Sequence, residues 1–241
     1  MSRLLLHYTE EKIKVHSIII ALQKVKEDRS IHQLKFKWLQ AFRTKGFQLS
    51  LIITLIYFGG LVVFMNHFFS YIENREGILL NDWILNQLEP VDLSTYIFGV
   101  IYSVLLVGLL YFFNTPFLLL RVLQTIVIIY SLRIITLYFI KLDPPKGIIP
   151  LSDPFVQKIA YNGIVITKDL FFSGHAAILL ILFLAASNTW VKLLFLVSLL
   201  FVSIMLLWQH VHYTVDVLGA IIFTLWAWTI SKRLSNLHQQ N

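Results

Sequence analysis

The sequence predicts an all-α polytopic membrane protein, a six-transmembrane-helix bundle preceded by N-terminal cytoplasmic amphipathic helices. Of its 241 residues, 57% are hydrophobic and only 14% are charged, whereas a soluble domain averages about 25% charged residues. The mean hydropathy of +0.73 points the same way. Apolar runs of roughly the length that crosses a bilayer lie near 47–66, 95–114, 116–140, 172–187, 190–209 and 212–230.

The N-terminal segment 1–46 is the most basic part of the chain, with 10 of the 20 Lys and Arg residues against four acidic residues. Beside a membrane span, such a segment indicates a cytoplasmic position and anionic lipid more often than nucleic acid. Residues 4–27 predict an amphipathic helix, and Ser30 with Gln33 resembles a capping box that starts a second helix. That second helix either lies on the membrane surface or packs on neighbouring loops.

The apolar runs imply a six-helix membrane domain over 47–231 and a cytoplasmic tail over 232–241. An even number of spans puts both termini on the cytoplasmic side. The loop 67–94 carries one basic residue against five acidic ones, as expected for a translocated loop. No cleavable signal peptide is expected, because the apolar stretch at 4–6 is too short. The sequence contains no cysteine, which excludes disulfide and thiolate chemistry.

Two polar motifs lie where an apolar run meets a polar segment, Ser173-Gly174-His175 and the stretch 210–216. The fourth span starts on the outer side and the fifth returns to it, so both motifs are expected at the outer face on adjacent helices. Ionisable groups at a membrane edge are costly, which makes a functional role the default hypothesis. Histidines that only pack at the interface are the competing interpretation.

The second motif places a carboxylate four residues after a histidine. On a helix, His212 and Asp216 would share one face, and a carboxylate bonded to one imidazole nitrogen leaves the other nitrogen able to attack or to take a proton. In the first motif, Gly174 permits close approach of a ligand, and the amides of a helix start attract anions. One histidine attacking phosphorus while the other protonates the leaving oxygen is a complete covalent mechanism.

A zinc site is the alternative chemistry, with His175, His210, His212 and Asp216 as ligands. On a helix, however, the side chains of His210 and His212 would project about 200° apart, so both reach one ion only if the segment is extended. We therefore expect a site without metal or other cofactor.

Ser173-Gly174-His175 together with His212-Tyr213-Thr214-Val215-Asp216 resembles the catalytic signature of the sphingomyelin synthase family, a branch of the type 2 phosphatidic acid phosphatase superfamily. The stretches 133–138, 142–145 and 169–175 also resemble segments of that family, and Leu80-Asn81-Asp82 does so more weakly. The resemblance covers roughly residues 45–232 and implies the same layout of spans.

The resemblance implies a role for each residue of the two motifs. His212 would be the nucleophile of a phosphohistidine-type intermediate, Asp216 would orient it, and His175 would protonate the departing oxygen and later deprotonate the acceptor. The site would face the lumen, periplasm or exterior and would need no metal. The same segments supply the candidate substrate-binding residues, which are Ser173, Gly174, Arg133, Tyr138, Asp169, His210 and Tyr213.

The sequence also departs from the patterns of the family and superfamily that it resembles. Ala176 stands where the family often has Thr, and Met205 and Leu206 stand where classical phosphatases of the superfamily have a Ser-Arg pair. Arg133, Lys141 or Lys168 would then meet the phosphate charge, and Arg133 is favoured because a basic residue inside a span is expensive. These departures favour head-group transfer over plain phosphate removal.

The leading hypothesis is a phosphotransferase that moves a phospho-head group from a phospholipid donor to ceramide or diacylglycerol. A lipid phosphate phosphatase or phospholipase C-like hydrolase, and a non-catalytic lipid-binding protein, are the alternatives. The expected partners are membrane lipids and not nucleic acid, and a homo-oligomer is left open. The acidic loop is a candidate for recognising a cationic head group, with Tyr71 and Trp83 adding cation–π contacts; a solvated acidic face is the competing reading.

Overall fold

The computed structural model describes residues 31–151 and 165–239 of the chain, and side chains as far as residue 235. The described part is helical, which confirms the predicted fold class, while the amphipathic helix predicted for 4–27 lies outside it. The helices are α1 over residues 31–43, α2 Lys45–Glu73, α3 Ser94–Phe113, α4 Pro116–Phe139, α5 Gly174–Ala185, α6 Thr189–Trp208 and α7 Thr214–Gln239.

Five helices of the described part are long and apolar enough to cross a bilayer, namely α2, α3, α4, α6 and α7. The protein is therefore a multi-pass membrane protein. The fourth predicted span, 172–187, is helical only over the 12 residues Gly174–Ala185. A helix of this length rises about 18 Å, which is well short of the roughly 30 Å hydrocarbon core. The chain reaches it through the non-helical stretch 165–173.

Helix α5 lies at the centre of the bundle and packs against α4, α6 and α7. Eight of its 12 residues are buried, so protein rather than lipid surrounds it. Non-helical backbone at membrane depth is tolerated where neighbouring protein satisfies its polar groups. The short fourth helix and its non-helical approach are therefore compatible with a membrane bundle.

Consecutive spanning helices run in opposite directions, so the bundle has two ends. We call the end that carries His175 and His212 the site end, and the opposite end the far end. At the far end, the Tyr111 hydroxyl near the end of α3 lies 2.9 Å from Ser187 Oγ and accepts the Asn188 N–H at 3.0 Å. These contacts tie α3 to the tight connection between α5 and α6.

Helix α1 packs on the far end through one face only. The indole N–H of Trp38 donates to the Phe113 carbonyl at 3.0 Å, and its ring packs against Phe47. On the opposite face, Phe36 and Leu39 are exposed. The helix thus contacts the bundle through one face and leaves apolar side chains exposed elsewhere, and its position on a membrane surface stays a prediction.

Helix α7 approaches the residues before α5 more closely than any side chain at the contact would allow. A Cβ atom at Gly219 would lie 2.8 Å from the Phe171 ring and 3.1 Å from Phe172 Cβ. The glycine therefore lets α7 lie directly against the chain that leads into the first histidine motif.

Replacing this glycine should loosen the contact. We expect Gly219→Ala to lower the apparent Tm in detergent, because overpacking costs about 1–3 kcal/mol while the better helix propensity of alanine returns at most about 1 kcal/mol. The matched control is Gly59→Ala, where nothing lies within 4 Å of the new Cβ. A Gly219→Ala protein as stable as this control would contradict the close packing.

Candidate active site

The first motif forms the start of α5. Ser173 is the N-cap residue, and its Oγ accepts the Ala176 N–H at 3.4 Å. The Ser173 N–H donates to the backbone carbonyl of Asp216 at 3.0 Å, which joins this turn to α7. His175 consequently lies in the first turn of α5, half-buried, with its ring 6.2 Å from that of Phe98 on α3.

A buried guanidinium packs directly against this turn. Arg133, near the end of α4, is only 2% exposed, donates to the Phe172 carbonyl and forms a salt bridge with Asp169. A Cβ at Gly174 would lie 2.8 Å from Arg133 Nη1. A larger residue at this position would displace the Arg133 guanidinium, which with Asp169 holds the turn that presents His175.

The histidines of the second motif precede α7, while its aspartate lies on that helix. Helix α7 begins at Thr214, so His212 is outside the helix and Asp216 is in its first turn. Asp216 Oδ2 accepts the Tyr213 N–H at 2.9 Å and lies 3.2 Å from His212 Nδ1. The predicted histidine–carboxylate contact is present, but a shared helix face does not produce it. The carboxylate is at position N3 of α7 and reaches back to the N-cap amide, as the acidic residue of a capping box does.

The two histidine rings meet at the site end. Their centroids are 6.3 Å apart and their planes are inclined by 63°. His212 is 2% exposed and Asp216 is fully buried. With His212 Nδ1 turned to the carboxylate, Nε2 is the nitrogen available to a substrate.

A cavity of about 510 Å³ extends from the two rings between α2, α3 and α4. Its lining is mostly apolar, with Leu61, Met65, Phe98, Ile101 and Leu105 among its residues, and Asn66, Tyr102 and Tyr130 add polar groups. Helices α2 and α3 scarcely contact each other, so the cavity lies between helices that are not packed together. A site of this kind suits a ligand with long apolar chains.

Arg133, Asp169 and Gly174 also line this cavity. Of the three cations considered for a phosphate group, Arg133 is the one that does so. Lys168 instead forms a salt bridge with Asp143 at 2.9 Å. Lys141 is exposed and lies outside the lining.

Two further predicted substrate-binding residues lie away from the cavity. Tyr138 is 51% exposed, and its backbone carbonyl accepts a hydrogen bond from Arg75. The Tyr213 hydroxyl donates to the Asp143 carbonyl at 2.9 Å and accepts the Leu80 N–H at 3.2 Å. Burial raises the pKa of Tyr213, so the phenol keeps the proton that it donates. Substrate binding by either tyrosine stays a prediction that the geometry does not support.

His210 also faces away from the cavity. It ends α6 with a φ of 58°, in a Schellman motif in which the Val211 N–H donates to the Leu206 carbonyl at 3.0 Å. Its ring nitrogens lie 2.8 Å from the Lys146 carbonyl oxygen and 3.1 Å from that of Leu88. Both nitrogens thus face backbone carbonyls of the site-end loops and not the cavity.

Within residues 31–151 and 165–239, no group of three or more histidine and carboxylate side chains is placed to hold a metal ion. The acidic loop likewise uses its carboxylates for structure. Glu73 accepts the amides of Thr167 and Lys168 at 2.9 and 3.0 Å, and Asp92 accepts the Ser94 N–H at 3.0 Å. None of these carboxylates lines the cavity, so recognition of a cationic head group by this loop stays a prediction.

Asp82 is a positioning residue that sequence reasoning missed. Its carboxylate accepts the Thr214 N–H at 2.7 Å and the Thr214 hydroxyl at 3.1 Å, so it holds the first residue of α7. Burial opposes ionisation, but these bonds and those from the Leu85 and Ile84 amides outweigh it and lower the pKa of Asp82. The weak resemblance of Leu80-Asn81-Asp82 to a family segment was the available signal.

The fold and site thus define a multi-pass helical membrane protein with two histidines and a carboxylate at one end of an apolar cavity. Residues 168–233 match the family described as PAP2 superfamily C-terminal. This match covers 66 of the 241 residues and includes both histidine motifs. It supports the type 2 phosphatidic acid phosphatase superfamily and, with it, lipid phosphatase or phosphotransferase chemistry. No curated protein sequence matches the chain.

Removing the charge of Asp82 should weaken the start of α7. We expect Asp82→Asn to lower stability by about 1 kcal/mol at neutral pH, as loss of a helix cap does. Because the folded-state pKa is lowered, the carboxylate contributes stability above its unfolded pKa of about 3.9, and the contribution is lost as pH falls through the folded value.

The measurement is the apparent Tm of wild type and Asp82→Asn between pH 7 and pH 3. The gap should persist to about pH 5 and shrink below about pH 4. Glu76→Gln, an exposed carboxylate in the same loop, is the control and should leave Tm unchanged. A gap that stays constant down to pH 3 would show that the charge of Asp82 is not what holds α7.

Proposed function

We propose that the protein is an enzyme that cleaves a phosphoester bond of a membrane lipid through a phosphohistidine-type intermediate. The observation that carries this proposal is the pair of histidine rings, 6.3 Å apart, at the end of an apolar cavity of about 510 Å³. The apolar lining suits acyl chains, and the two imidazoles suit a nucleophile and an acid acting on one phosphoryl group.

The first step uses the two histidines in different roles. Nε2 of His212 attacks phosphorus, and His175 gives a proton to the lipid oxygen that leaves, so a P–N bond forms as a P–O bond breaks. The Asp216 carboxylate, 3.2 Å from His212 Nδ1, keeps a proton on Nδ1 and stabilises the cationic ring. Its complete burial strengthens this interaction, since no water screens it.

The phosphate charge is met by groups that the turn around Gly174 brings together. The guanidinium of Arg133 lies directly beneath this turn and lines the cavity. The amides of the first turn of α5 carry the positive end of the helix dipole. Asp169 neutralises part of the arginine charge, which suits a site that must also release a phosphorylated product.

For the second step we propose transfer to a lipid hydroxyl, with a phospholipid as donor and ceramide or diacylglycerol as acceptor. His175 then takes the proton of the acceptor hydroxyl, which attacks phosphorus and releases His212. One feature of the sequence supports transfer, because Met205 and Leu206 stand where the classical phosphatases have a Ser-Arg pair. Water as the acceptor is the runner-up.

We also propose that the site end faces the lumen, periplasm or exterior and that both termini are cytoplasmic. The described part of the chain supports this through its charges, because its acidic residues lie at the site end and the far end carries basic residues alone. Basic residues accumulate on the cytoplasmic side of membrane proteins. The far-end basic residues are Lys35, Lys37, Arg43, Lys45, Arg121, Lys192, Lys232 and Arg233.

Substitution of the two histidines should have distinguishable effects. His212→Ala should abolish covalent labelling of the protein by a phospholipid labelled in its phosphate and lower the turnover rate by about 10³-fold or more. His175→Ala should slow turnover by about 10²- to 10⁴-fold, the usual contribution of a general acid. The control is His67→Ala, an exposed histidine on α2, and full activity in His212→Ala would sink the mechanism.

The nature of the acceptor is tested separately with the purified protein. Head-group-labelled phospholipid is supplied with and without ceramide or diacylglycerol, and the labelled products are separated. We expect a labelled lipid product that appears only when the acceptor lipid is present, because an apolar cavity excludes water while the phosphohistidine persists. Free phosphate or phosphocholine as the sole product would assign hydrolysis instead.

A further inference from the structure

A second cavity, of about 410 Å³, lies at the far end of the bundle. It forms where α1, the start of α4 and the end of α7 meet. Three basic side chains line it, each from a different helix: Lys37, Arg121 and Lys232. The rest of its lining is Asn114, Thr115, Pro116, Phe117, Leu118 and Ser235.

The basic side chains of this cavity have no carboxylate nearby in the part of the chain that the structure describes. Its salt bridges all lie at the site end. The acidic residues there are Glu73, Glu76, Asp82, Glu89, Asp92, Asp143, Asp169 and Asp216. Three cations around one cavity repel one another, and an anion bound between them would relieve that repulsion.

Arg121 is held in a fixed position at the wall of this cavity. Its guanidinium carbon lies 3.5 Å from the centroid of the Trp228 ring, and it donates to the Trp228 carbonyl at 3.1 Å and towards Ser231 Oγ at 3.4 Å. Lys37 donates to the Asn114 carbonyl at 3.3 Å, but Lys37 and Lys232 are both exposed, so their ammonium groups can turn towards a ligand. A guanidinium held in one position beside two mobile ammonium groups suits recognition of a phosphate group.

The start of α4 adds to the positive potential. Pro116 is the first residue of the helix, and the side chain of Thr115 does not cap it, because its hydroxyl donates to the Phe112 carbonyl at 3.2 Å. The amides of this first turn and the helix dipole therefore favour an anion at the same place as the three basic side chains.

We propose that this cavity binds a phosphate-bearing anion, and specifically the phosphate of an anionic lipid head group. The lipid source follows from the surroundings, since Phe36 and Leu39 of α1 are exposed at the far end and Trp190, at the start of α6, is 79% exposed. Exposed aromatic and apolar residues beside basic ones mark the level of the head groups. The inference does not rest on the proposed catalytic function, because it concerns the opposite end of the bundle.

The test measures binding of dioctanoyl phosphatidic acid to the full chain, by native mass spectrometry and by thermal shift, in a His212→Ala background that prevents turnover. The double variant Lys37→Gln/Lys232→Gln removes two cavity cations and should weaken binding by about tenfold, as the loss of two exposed charge contacts predicts. The matched control, Lys192→Gln/Arg233→Gln, removes two far-end charges outside the cavity and should change binding less than about twofold.

Two further arms decide the source and the place of the anion. Inorganic phosphate that competes as strongly as the lipid would identify a free anion rather than a head group. Dioctanoyl phosphatidylcholine should bind the wild-type cavity no more tightly than dioctanoyl phosphatidic acid binds the Lys37→Gln/Lys232→Gln variant. A photoactivatable phosphatidic acid should crosslink to residues 114–121 or 232–235. Crosslinks confined to 210–216, or equal weakening of binding in both double variants, would overturn the proposal. As a separate control, the Lys37→Gln/Lys232→Gln protein that keeps His212 should turn over phospholipid at the wild-type rate.

Discussion

The site depends on Asp216, which joins the two histidine motifs and the start of a helix through one residue. Its carboxylate holds the Tyr213 amide and faces His212 Nδ1, and its backbone carbonyl holds the Ser173 amide. A buried carboxylate is costly unless it is hydrogen-bonded. The need to give Asp216 hydrogen-bond partners therefore fixes both the start of α7 and the position of the His212 ring. The first turn of α5 is fixed in turn, because Ser173 is its N-cap.

Much of this arrangement could be predicted from the sequence. Long apolar runs define spanning helices because the bilayer imposes their length, and counting them brings His175 and His212 to one end of the bundle, where the structure has them. Arg133 stood out for a similar reason, since a cation inside a span needs a partner. Sequence alone did not identify that partner as Asp169 and the Phe172 carbonyl, because the contact joins segments far apart in the chain.

Other features depended on contacts that periodicity does not encode. The helical spacing of His212 and Asp216 suggested a shared face, yet α7 begins only at Thr214, and capping chemistry makes the contact. Asp82 is 132 residues from the Thr214 amide that it accepts, so no local sequence pattern predicts this contact. His210 sits inside the motif but adopts a left-handed conformation, which turns its ring towards the loops instead of the cavity.

The length of α5 sets how deep the candidate site lies in the bundle. Helix α3 has 20 residues and α5 has 12, about 30 Å against about 18 Å, and Tyr111 and Ser187 align their far ends. The His175 ring lies beside Phe98, the fifth residue of α3 and roughly one turn inside that helix. In the proposed reaction a lipid phosphate would reach this depth while its acyl chains lie in the apolar cavity, whereas a small water-soluble ester has no apolar chain to place there. Under the proposed function, the depth of the site would thus favour lipids over soluble phosphates in addition to any recognition of the head group.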